Sequence, residues 1–104
     1  MQLSALMCVC SKDVANDIAQ AVLSEHLVAC VDELPGIWNQ RAGEQSLNSD
    51  EVSLLMITYD ILIDELFDTI GQLHAHKEPI INHLWSAKFS KPYADWLSQA
   101  LEPA

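Results

Sequence analysis

Apolar and polar residues recur along this chain with two different periods, and each change of period marks an element. Leu3 to Cys10 is apolar at every position except Ser4. A run this short with no polar side is the pattern of a strand buried on both faces. Ser11 follows at a helix N-cap position, with Asp13 in the first turn. Val14, Ala15, Ile18, Ala19, Val22, Leu23 and Leu27 then recur at helical spacing, with Asp17, Gln20 and Ser24 on the other side. That spacing predicts an amphipathic helix over 12–26. Val28 to Glu33 predicts a second strand. Pro35-Gly36 is a bend or bulge, after which Ile37 and Trp38 resume the strand.

Residues 39–50 are polar and predict a loop. Glu51 to Tyr59, rich in Leu, Ile and Met, predicts a third strand. Asp60 is expected to cap a second helix. Its apolar face is Leu62, Ile63, Leu66, Phe67, Ile70 and Leu73; Asp64, Glu65 and Asp68 form a solvated face. Gly71 and the segment 74–78 end it. Pro79 to Trp85 predicts a fourth strand. Ser90 is expected to cap a last helix with Pro92 in its first turn, and Tyr93, Trp96, Leu97, Ala100 and Leu101 form an apolar stripe along it. The cluster Trp85, Phe89, Tyr93 and Trp96 is expected to pack helix on sheet.

The predicted order is β-α-β-β-α-β-α. Two βαβ halves around a hairpin make one α+β domain over residues 1–104, a ferredoxin-like βαββαβ sandwich with an extra C-terminal helix. Its helices lie on one face of an antiparallel sheet. The first and third strands are too apolar for the other face to meet water. The last helix covers part of that face, and other subunits are expected to cover more.

Composition narrows the function. Half of the 104 residues are hydrophobic, which rules out a disordered chain. Fifteen acids against five bases give a formal charge of -10. Such a surface repels nucleic acid and anionic membranes and attracts cations. The N-terminus has no basic segment followed by a long apolar one, and no apolar run spans a bilayer, so a cytoplasmic protein is expected. Cys8, Cys10 and Cys30 lie in apolar runs and read as reduced thiols. No Gly-x-Ser-x-Gly, Gly-rich phosphate loop or His-Glu-x-x-His occurs, so no catalytic residue is assigned.

The histidines carry the most chemistry. His74, His76 and His83 fall within ten residues, and His74-x-His76 puts two imidazoles on one side of an extended segment. Cys10 ends a strand just before a helix N-terminus, a position that lowers a thiol pKa. His74, His76 and Cys10 are therefore the candidate metal ligands. Imidazole and thiolate favour copper or another transition metal over Ca or Mg. The plainer alternative leaves His74 and His76 as solvated loop residues, His83 as a core histidine and Cys10 as a buried thiol. His26, at the end of the first helix, reads as structural.

Ala15, Ile18-Ala19, Val22-Leu23, Glu25, Leu27, Ala29-Cys30-Val31 and Pro35-Gly36 form a phrase that resembles the CutA divalent-cation-tolerance family. Trp38 and Gly43, Glu51-Val52, His74 with Pro79, and Tyr93-x-x-Trp96-Leu97 agree with it in order. The resemblance implies a tight homotrimer with strands pairing between subunits, a role in response to divalent metals such as copper, and no catalysis. The fold is shared with PII-type trimers, so a PII-like small-molecule sensor and a trimeric protein-interaction scaffold are the alternatives.

The chain departs from the family at several points. The loop after the first strand is shorter, and Asp32 stands where the family commonly has Asn. Ile57-Thr58 replaces Lys-Thr. His74-Ala75-His76 and Pro79-Ile80 replace His-Pro-Tyr and Pro-Glu. In the family that Lys, Tyr and Glu gather near a cleft between subunits, where Ile57 and Ile80 are then expected. The chain resembles a divergent member.

Overall fold

The structure, a computed structural model, describes residues 2–35, 51–73, 80–84 and 88–102. The elements run β1 (Leu3–Ser11), α1 (Lys12–Ser24), β2 (Cys30–Pro35), β3 (Glu51–Tyr59), a 3-10 turn (Asp60–Leu62), α2 (Ile63–Leu73), β4 (Ile80–Leu84) and α3 (Lys91–Leu101). The sheet order is β2-β3-β1-β4, with every neighbouring pair antiparallel. This is the ferredoxin-like arrangement that the order of elements predicts.

The doubly apolar β1 lies between β3 and β4, where both of its faces meet other side chains. Along β1 the side chains alternate. Leu6, Cys8 and Cys10 face the layer of α1 and α2, together with Val52, Leu54 and Met56 of β3. Ala15, Ile18 and Val22 of α1 and Ile63, Leu66 and Ile70 of α2 close that core. Ala5 and Ile57 face the other way and pack beneath Leu97 of α3.

Polar groups fasten the ends of β1 and β3. Ser4 is buried and donates its hydroxyl to Asp60 Oδ1 at 2.6 Å. Thr58, fully buried, donates to the carbonyl of Leu27, and the Ala29 amide donates to the Ile57 carbonyl at 2.7 Å. The segment leaving α1 is thus pinned to β3 before β2 begins. For this reason β2 starts at Cys30 rather than at Val28, which is spent in the core.

Three local expectations are corrected. Asp60 does not cap α2: it opens a 3-10 turn and spends its carboxylate on Ser4. Ser11 and Ser90 stand at the N-cap positions of α1 and α3 but make no side-chain cap hydrogen bond. The helix predicted over 12–26 stops at Ser24. His26 turns into the left-handed region at φ 58°, with His26 N–H donating to Leu23 O at 3.1 Å and Leu27 N–H to Val22 O at 3.0 Å. That pair of bonds is a Schellman stop, whose left-handed position is usually glycine. Trp38 and the 39–50 loop, Pro79, Trp85 and the 74–78 turn lie outside the described residues.

Glycine is missing where the backbone favours it and present where it does not. Gly71 sits within α2, and a Cβ there would meet nothing within 4 Å. His26→Gly should relieve left-handed strain, and Gly71→Ala should reduce the entropy lost on folding. Each is expected to stabilise the protein by about 0.5–1 kcal/mol. Urea unfolding should show two higher midpoints with unchanged slopes; a lower midpoint for either would contradict the backbone assignment at that residue.

Candidate functional site

Cys10 lies at the end of the sheet where β1 leads into α1, with Cys8 two residues before it. Cys10 lies opposite Val52, and Ser11 opposite Glu51. On the other side of β1, the backbone of Ile80 pairs with Val9, next to Cys10. The chain therefore enters β4 beside the end of β1. His74 and His76 lie outside the described residues, in the segment that connects Leu73 to Ile80.

Cys10 itself is fully buried and faces the helix-side core. Cys8 is on the same face two residues earlier, also fully buried, and both thiols are free. They form a hydrogen-bonded pair. The bond from Cys8 supports the Cys10 thiolate and holds Cys10 below the ordinary thiol range, against burial and the charges of Glu33 and Glu51. The same bond, then burial and the neighbouring charge, push Cys8 well above that range. The lowered pKa expected of Cys10 is present, but a second thiol rather than a helix terminus dominates it. Glu33 and Glu51 become neighbours of Cys10 only through the pairing of three strands, so no local motif could have named them. Among the described residues, no three His, Cys, Asp or Glu side chains lie close enough to hold an ion.

His83 faces the helix layer from β4, opposite Leu6. It lines a cavity of about 520 Å³ with Asp60, Ile63, Asp64 and Phe67. The plainer alternative puts it in the core; it is half-buried at the margin instead. His26 is exposed at the α1 stop. Asp64, Glu65 and Asp68 are all exposed, as a solvated helix face requires.

The α3 side of the sheet differs from the expected packing. Leu97 and Leu101 are buried, whereas Tyr93 is 40% exposed and Trp96 52%. Tyr93 stacks on Trp96 with ring centroids 6.1 Å apart and meets Phe89 at 5.9 Å. The aromatic run lies toward the β2 edge, where little sheet remains beneath it, so it packs on itself. Cys30 Sγ, half-buried on β2, lies 3.8 Å from the Tyr93 hydroxyl. That contact, followed by burial and the charges of Cys30 and Asp32, raises the Tyr93 pKa. Tyr59 donates to the Ser98 carbonyl at 3.3 Å and holds the other end of α3. Ile57, expected near a subunit boundary, packs under α3 of its own chain; the Ile80 side chain is not among those described.

A profile of the CutA1 divalent ion tolerance protein family matches residues 4–100. The chain is 32% identical to the divalent-cation tolerance protein CutA of Thermus thermophilus over 95% of its own length and 97% of that protein's. It is 30% identical to the protein CutA of Homo sapiens, over 95% of its own length and 56% of the human protein's. The structure superposes on CutA from Synechococcus elongatus with a TM-score of 0.81 at 26% identity, covering 96% of this chain and 90% of that one.

Two outcomes follow for the thiols. In the folded protein a thiol-alkylating reagent should leave Cys8 and Cys10 unmodified, while all three cysteines react in denaturant; modified Cys10 in the native state would show that its side chain reaches solvent. The pair also sets a pH dependence. Cys8 has a folded pKa raised above its ordinary 9.0, so its contribution to stability is intact below that value and lost as pH rises above it. Cys10, lowered, acts in the opposite sense at lower pH: its contribution is lost as pH falls through its folded pKa. Without Cys8, Cys10 keeps only the burial and the Glu33 and Glu51 charges that raise its pKa, so urea midpoints between pH 8 and 10 should fall more steeply in Cys8→Ala than in the parent. Equal slopes would contradict the shared proton.

Proposed function

Since the chain belongs to the CutA1 divalent ion tolerance family, we propose that it works as a homotrimer in the response or tolerance to divalent metal ions, copper among them. It acts by binding rather than by catalysis, in the cytoplasm. The observation that carries this reading is the match to the family over residues 4–100, almost the whole chain.

The α3 side of the sheet supports the trimer. Leu34 of β2 and Leu84 of β4 flank α3 on that side and are 45% and 41% exposed. Tyr93 and Trp96 add to the same apolar surface. Among the described residues, β2 and β4 are the edge strands, with backbone to offer. Subunits that add strands at such an edge would cover both the backbone and the leucines. The acidic charge of each chain opposes assembly, and apolar burial must outweigh it.

Metal binding is assigned to His74 and His76, with Cys10 as the third candidate ligand, which would have to turn out of the helix-side core that buries it to reach the ion. The pairing of Ile80 with Val9 supports this, because it brings the chain that follows His76 to the end of β1. Glu33 and Glu51 add negative potential there. A PII-like sensor of a small molecule is the second reading. The packing of Ile57 under α3 favours the metal reading over it, since that position offers no charge to an anionic effector.

Light scattering should report three chains of 11.6 kDa in one particle, and 1 M salt should not dissociate it, because screening relieves the repulsion. A particle with the mass of one chain would defeat the assembly. Calorimetric titration with Cu(I), Cu(II) and Zn should show binding that weakens below about pH 6.5, as imidazole protonates. The double variant His74→Ala/His76→Ala should lose it. Unchanged affinity and stoichiometry in that variant would return both histidines to ordinary loop residues.

A further inference from the structure

We draw no further inference here: the strongest candidate, the pair of fully buried thiols that Cys8 and Cys10 form on the helix side of β1, shares Cys10 with the metal site already described and is joined by no third donor among the described residues.

Discussion

A strand with apolar side chains on both faces has no solvated side to offer, and β1 is such a strand. Everything else in the fold answers that constraint. β3 and β4 take its backbone hydrogen bonds. α1 and α2 cover Leu6, Cys8 and Cys10, and α3 covers Ala5. Fully burying one large apolar side chain contributes roughly 1.5–3 kcal/mol, so a β1 left bare on one face would forfeit a large part of a small domain's stability. The helix-side core is closed by two helices, α1 and α2. The other face has one helix of eleven residues, which reaches Ala5 and Ile57 but leaves Leu34 and Leu84 exposed. The asymmetry between the two faces is the physical reason for expecting further subunits.

The elements with a single strong period are legible in the residues alone. β3 spans 51–59 as its composition predicts; of the faces that spacing selects, α1 buries Ala15, Ile18 and Val22 and α2 buries Ile63, Leu66 and Ile70, while Leu23 and Leu73 at their ends stay exposed. Expectations fail where a side chain has a stronger tertiary partner. Asp60 has the composition of a cap, but Ser4, far away in sequence, claims its carboxylate. The α3 stripe is apolar as its spacing predicts, yet only Leu97 and Leu101 find sheet beneath them. Periodicity defines a face, but how much of it is covered depends on the width of the sheet below.

The candidate sites divide along the same line. The Cys8/Cys10 pair follows from alternation along one strand and is within reach of a reading of the sequence. Groupings made across elements are not, because they form only when strands pair and layers pack. Glu33 and Glu51 reach Cys10 in the same way, through strand register. Family membership supplies the link to divalent ions, while the chain's own residues determine how that link is made. Ile57 is buried under α3, a position where an unpaired ammonium would be costly.

The central claim is that the second face of the sheet is completed by other copies of this chain. If burial between copies contributes to the stability of each, unfolding is coupled to dissociation, and the midpoint must depend on protein concentration. Urea unfolding followed by circular dichroism over a hundredfold range of concentration measures this directly. The account predicts a midpoint that rises steadily with concentration. A midpoint independent of concentration, with the fold intact in the most dilute sample, would contradict it.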